Sequence, residues 1–186
     1  HRYEDVLASI NARRPDFEAY IDPQKQHADV VIQILPTQLI PDDKEHKVLR
    51  VRLMQRDGVE GFEPAYLFDE GSTIYWTPCG RKLTCSYPGI KMYYGPDSYY
   101  GNEVSVLEVD GQFDNLDEMI YVEGHMSNVA TKYYGELTHL LREHQDYPGS
   151  NNGSGLFQVL VGLKMRATYE RLVGKGRGIE LVSSVS

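Results

Sequence analysis

The apolar positions of this chain change period twice, and each change predicts a change of element. Tyr3, Val6, Leu7 and Ile10 recur at i, i+3, i+4 and i+7, which places them on one face of a short amphipathic helix of about three turns. Pro15 predicts its end, because proline lacks an N–H and its ring clashes with the turn before it. After the Asp22-Pro23 turn, residues 28–35 (ADVVIQIL) form a β-branched apolar run stopped by Pro36. Such a run predicts a strand buried on both faces, inside a sheet with more partners than this segment offers.

From Lys47 the pattern becomes strict alternation, with Leu49, Val51 and Leu53 opposing Arg50 and Arg52, as in an antiparallel strand with one wet face. Further strands are predicted at 64–68, 73–78, 90–94 and 103–109, divided by the turn clusters Asp57-Gly58, Gly80, Pro88-Gly89, Pro96-Asp97 and Asp110-Gly111. The last third turns helical. A first helix is expected at 116–122, a second from the stripe Tyr133, Leu137, Leu140 and Leu141, and a third from Leu156, Val159, Leu160, Leu163 and Ala167. These would cover one face of the sheet. The expected class is α/β: a mixed β-sheet with one core strand and an antiparallel extension, under helices. Residues 1–173 read as a single domain, and 174–186 (GKGRGIELVSSVS), which lack periodicity, as a flexible tail.

Composition narrows the function classes. With 41% hydrophobic and 25% charged residues the chain is of ordinary globular type, and its net charge of -8 argues against nucleic acid and anionic membrane as partners. No apolar run approaches the ~18 residues of a membrane span and no signal-peptide pattern opens the chain, so no membrane partner and an intracellular, soluble protein are expected. The sequence begins at His1 without methionine and enters a helical pattern at once, which suggests a piece of a longer protein.

The runs DFEAYIDPQKQHADVVIQILP, YLFDEGSTIYWTPCGRKLTCSYPGIK, YVEGHMSN and YPGSNNGSGLFQ, in this order, resemble the phosphoribulokinase family of oxygenic phototrophs from about Val6 to Val173. A looser likeness to uridine kinases runs through Arg14-Pro15, Phe17, Pro23, Lys25 and Ala28-Asp29. The resemblance implies the C-terminal part of a P-loop kinase, with residues 28–35 as a parallel core strand. It also implies transfer of the γ-phosphoryl of ATP, with Mg2+, to ribulose 5-phosphate in the Calvin cycle, in a chloroplast stroma or cyanobacterial cytoplasm. That chemistry requires a phosphate cradle, a metal ligand and a base. No G-x-x-x-x-G-K-[ST] occurs in this sequence, since the Gly174-Lys175 pair is followed by Gly176. The family's phosphate loop and catalytic base correspond to positions before His1, so no catalytic residue is assigned here and the chain alone is expected to be inactive.

Cys79 and Cys85 bracket a loop whose Arg81 and Lys82 favour thiolate. Closing so small a loop would stabilise by only roughly 2 kcal/mol, so regulation is a better reason for the pair than stability. Read from the residues alone, two ordinary cysteines in a strand-to-strand loop remain as open a reading. The resemblance makes the pair a thiol switch reduced by thioredoxin. It further implies glyceraldehyde-3-phosphate dehydrogenase, with a small disordered bridging protein, as partner, and a homodimer. A rival function is a redox-sensitive binding module retained without the kinase half.

Arg13 and Arg14 are candidates for phosphate, since guanidinium suits that geometry, against the alternative of solvated residues at a helix C-terminus. Pro36 and Thr37, at the exit of the predicted core strand, are nucleotide-side candidates, because ligands of open α/β sheets gather at strand C-termini. Lys25, at the opposite end of that strand, is a weaker phosphate candidate than Arg13 and Arg14. The stretch 149–155 (GSNNGSG) is read as a structural loop with Ser154 near a helix N-cap, the acidic clusters Asp42-Asp43 and Asp114 to Glu118 as solvated turns and a charged first helical turn, and His139 and His144 as badly spaced for a shared metal, so no metal site is assigned.

Overall fold

The computed structural model describes residues 2–45, 47–67, 73–76 and 83–183, with the backbone alone at 73–76 and 175–183. Strands β1 (Val30–Pro36), β2 (Leu49–Arg56), β4 (Thr73–Trp76), β5 (Ile90–Tyr99) and β6 (Asn102–Gly111) form one sheet in the order β1-β2-β6-β5-β4. Short strands β3 (Tyr66–Leu67) and β7 (Met126–Ser127) make a separate pair. Helices α1 (Tyr3–Asp16), α2 (Met119–Glu123), α3 (Glu136–Glu143) and α4 (Gly153–Ser183) complete the chain.

Alternation builds the core as expected. Val51 and Leu53 of β2 stand opposite Val109 and Leu107 of β6, Met92 of β5 adjoins Val109, and all are buried. Met119, Val122, Leu137, Leu141, Leu156, Phe157, Leu160 and Leu163 of the helices close over this face in one cluster. Gly153 lets α4 approach the sheet, because a Cβ there would lie 2.8 Å from Val51 Cβ and 3.0 Å from Val109 Cβ. The other face carries the arginines: Arg52 reaches Asp97 at 2.6 Å and Glu108 at 3.3 Å, and Arg50 lies 3.8 Å from Glu108. The Ser98 N–H and then Arg52 hold the Asp97 carboxyl below its usual range.

Several expectations need correction. Helix α1 does not stop at Pro15: it runs to Asp16 and continues into a wide turn at Phe17–Ile21 and a tight one at Asp22–Gln26. A widened turn accommodates a proline whose missing N–H and bulky ring disturb the regular ladder. The apolar stripe of α1 is exposed, and the helix buries no residue. Strand β1 has one partner among the described residues, β2, and that pairing is antiparallel, so it forms the sheet's edge with Ile34 exposed. The parallel neighbour expected for it is not among the described residues.

Strand β5 runs straight through the predicted Pro96-Asp97 turn, with Pro96 paired to Ser105. The chain reverses instead at Tyr100 and Gly101, both at positive φ, as the tight hairpins that match strand twist require. Ser154 does lie near the N-cap of α4, as expected: it is the helix's second residue, and its N–H donates to the capping Asn152 Oδ1 at 2.8 Å. The backbone stays helical to Ser183, past the Gly174 where a flexible tail is predicted.

Candidate functional site

The exit of β1 is the end of the sheet where the candidates gather. Thr37 is buried, between exposed Pro36 and exposed Gln38. Its hydroxyl donates to Asp110 Oδ1 at 2.5 Å and accepts the Leu39 N–H at 3.0 Å, while the Gln38 N–H donates to Asp110 Oδ2 at 2.8 Å. Asp110 is wholly buried near the end of β6, two strands away from β1, with Arg50 and Lys91 as its cross-strand neighbours. Alternation puts these cations on the same face as the carboxylate, which offsets part of the cost of burying it. Thr37 therefore has its hydroxyl committed in both directions, and the surface left to a ligand is that of Pro36 and Gln38. Nothing in the sequence marks Asp110 beyond a turn dipeptide, because the signal is a contact across 73 residues.

The same stretch of β6 leads directly to the cysteine loop. Gln112 Nε2 donates to the Lys47 carbonyl at 3.1 Å, and the Asp114 N–H donates to the Thr84 carbonyl at 3.1 Å. Asp114 Oδ2 accepts the Ser86 hydroxyl at 2.9 Å, and Glu118 accepts both the Thr84 hydroxyl, at 2.8 Å, and the Thr84 N–H. Asp117 pairs with Arg142 at 2.6 Å. The acidic cluster is largely exposed and supplies the charged first turn of the short helix Leu116–Glu118, as expected, and in addition it clamps residues 84–86. Within that strap Cys85 is buried in the main core with Leu83, whereas Cys79, Arg81 and Lys82 lie outside the described residues.

The remaining candidates stay apart from this end. Arg13 and Arg14 are exposed on the last turn of α1, Arg14 pairs with Glu18 at 3.2 Å, and among the described residues no hydrogen bond or ion pair joins either to the Thr37 turn. Lys25 pairs with Asp22, a contact that raises the ammonium pKa. The 149–155 loop folds on itself: the Gly155 N–H donates to the Gly149 carbonyl at 2.9 Å and the Ser150 hydroxyl to the Gln145 carbonyl at 2.7 Å. His139 pairs with Glu143 at 3.3 Å.

Two buried carboxylates that sequence reasoning did not single out organise the helical layer. Glu123 accepts the Gly135, Leu137 and Thr138 N–H groups at 2.9, 3.2 and 3.1 Å and the Thr138 hydroxyl at 2.6 Å, which caps the start of α3. Glu136 receives Arg166 at 2.5 and 3.0 Å and the Lys132 N–H at 2.6 Å, and the guanidinium holds its carboxyl down at about 2.

Comparison with known proteins gives this arrangement a setting. A model described as the phosphoribulokinase / uridine kinase family matches residues 1–41, which include β1 and the Thr37 turn. Phosphoribulokinase of Synechocystis sp. is 72% identical over 177 residues, covering 95% of this chain and 53% of that protein. The chloroplastic phosphoribulokinase of Mesembryanthemum crystallinum is 69% identical over 173 residues (93% of this chain, 44% of that one), and that of Chlamydomonas reinhardtii 64% over 175 (94% and 46%). The chain spans about half the length of these curated relatives, and along almost the whole of its own length it is strongly homologous to phosphoribulokinases.

Proposed function

We propose that this chain is the C-terminal half of a phosphoribulokinase, which transfers the γ-phosphoryl of ATP to ribulose 5-phosphate and gives ribulose 1,5-bisphosphate. The observation that carries the reading is the identity of 64–72% with phosphoribulokinases along almost the whole chain. The open edge of β1 and the exposed stripe of α1 support a further half that covers them. This half supplies framework: the Pro36–Gln38 surface for the nucleotide side, and the sheet that holds it. The phosphate cradle and the base belong to the other half, because no Walker motif occurs in this sequence. Asp110, the buried carboxylate at the β1 exit, has both oxygens taken by Thr37 and Gln38, which does not suit a magnesium ligand, and no step through the metal is assigned to these residues.

The same reading makes Cys79 and Cys85 a regulatory pair. Thioredoxin's dithiol would reduce their disulfide, so that two thiols form here as one disulfide forms on thioredoxin. The clamp of Asp114 and Glu118 on residues 84–86 supports a loop whose shape the rest of the protein senses. Glyceraldehyde-3-phosphate dehydrogenase with its bridging protein, and a second copy of the kinase, are the proposed partners. A chloroplast or a cyanobacterial cell is the proposed setting, from the names and sources of the relatives. The test pairs a kinase assay with thiol counting. The chain alone should show no turnover of ribulose 5-phosphate, the longer protein should be active, and thioredoxin treatment should release two thiols. Turnover by the chain alone, or an inactive longer protein, would overturn the assignment.

A further inference from the structure

The turn that follows β1 is held by an expensive device. A wholly buried aspartate, Asp110, reaches from β6 past β2 to take the Thr37 hydroxyl at 2.5 Å and the Gln38 N–H at 2.8 Å. Burying a carboxylate carries a large desolvation penalty before its partners are counted, and in most turns an Asx side chain or a backbone bond does this work locally. Here the Thr37 hydroxyl also accepts from the Leu39 N–H at 3.0 Å, so one carboxylate fixes three consecutive residues at the sheet's edge.

We propose that Asp110 is a positioning residue for the nucleotide: it holds the 37–39 turn in the one shape in which Pro36 and the Gln38 backbone meet the base of ATP. The inference rests on the kinase reading above and goes beyond it by naming the group that shapes the nucleotide side. Three observations carry it. The turn lies at a strand's exit, where open α/β sheets gather their ligands. Pro36 and Gln38 are exposed while the residue between them is buried and anchored. The anchor comes from a strand that the 1–41 family match does not contain, so the antiparallel extension contributes to a turn of the kinase segment.

The chemistry predicts which change matters. Asp110→Asn keeps the shape but offers a single acceptor oxygen: with that oxygen on the Gln38 N–H, its NH2 group faces the Thr37 oxygen, the bond between them reverses and the hydroxyl proton loses its acceptor. Thr37→Val keeps the volume and removes the hydroxyl that links Asp110 to the Leu39 N–H. Neither side chain touches the sugar phosphate in this proposal. The effect should therefore fall on one substrate.

The experiment is made on the full-length protein carrying this sequence, by steady-state kinetics with ATP and with ribulose 5-phosphate varied in turn, and by binding of a fluorescent ATP analogue. Each single variant should raise the KM for ATP and weaken the analogue about tenfold, the size expected for one lost buried hydrogen bond. The KM for ribulose 5-phosphate should stay within about twofold, and the double variant should be no worse than the worse single one, as for residues in one network. An unchanged KM for ATP in a folded Thr37→Val protein overturns the proposal, and so does a parallel rise in both KM values, which would mark a merely structural residue. Should Asp110→Asn fail to fold, the near-isosteric Thr37→Val decides. A parent protein that is active but has variants of unchanged ATP affinity sinks this proposal alone, whereas an inactive parent sinks the kinase reading and this proposal with it.

Discussion

The helix-covered sheet and the N-terminal arm carry the same kinds of apolar side chain, and the chain treats them in opposite ways. In the sheet region, Leu53 and Leu160 are 0% exposed and belong to one cluster that joins β2, β5 and β6 to α2, α3 and α4. In the arm, Ile10 is 57% and Ile34 54% exposed, on a helix with no buried residue and a strand with one described neighbour. Periodicity alone does not separate the two, since Tyr3, Val6, Leu7 and Ile10 make as regular a stripe as Leu156, Val159, Leu160 and Leu163. The difference is whether the facing surface lies within this chain. Under the proposed kinase reading, with the family match at residues 1–41 and relatives about twice as long, the arm is the end of a domain continued elsewhere.

The sharpest way to break that comparison is in the closed region. Leu53→Ala empties a site packed from both sides, and such a change costs about 3 to 4 kcal/mol in transfer and cavity terms. Urea unfolding of this chain should show it as a large drop in midpoint with an unchanged slope. A loss below about 1 kcal/mol would mean that the core is not closed by this chain's own helices.

The acid limb of stability comes next. Glu136, at about 2 in the folded protein against the usual 4.5, binds its proton more readily when unfolded. Its contribution is therefore complete above about pH 4.5 and is lost as pH falls towards 2. Because one flank of Arg166 is open to water, the loss is put at roughly 2 kcal/mol rather than the full value of the shift. Arg166→Met should flatten that limb while leaving the Leu53 result in place. An unchanged acid limb in the variant would show that the pair does not set it.

These two regions also mark how far the sequence is readable. Strands β2, β5 and β6 and helices α3 and α4 follow from local period, because each buries one face of its own and the residues that bury it are spaced by the element's geometry. Missing from that reading is everything fixed by contacts between distant residues. Glu123 capping α3 and Asp110 gripping Thr37 are single carboxylates in apolar strands or helices, with no local pattern to announce them. The chain does not turn at Pro96-Asp97 for a similar reason: pairing with Ser105 and Val104 outweighs a local turn preference. Within the candidate site, strand-exit reasoning reached Pro36 and Thr37, but the direction of the Thr37 hydroxyl is a property of β6.

The smallest predicted effect tests the arm itself. Leu7→Ser together with Ile10→Ser changes two residues that are 40% and 57% exposed, so little buried area is lost and the stability of this chain should move by no more than about 0.5 kcal/mol. The same pair of changes should reduce self-association of the chain in sedimentation, because exposed apolar stripes and open strand edges are what associates. In the longer protein the cost should rise to about 2 to 3 kcal/mol, since there the two side chains face a cover and lose the transfer energy of burial. Equal small effects in both lengths would mean that the stripe stays open in the longer protein as well, and that the arm is a true surface rather than a severed face.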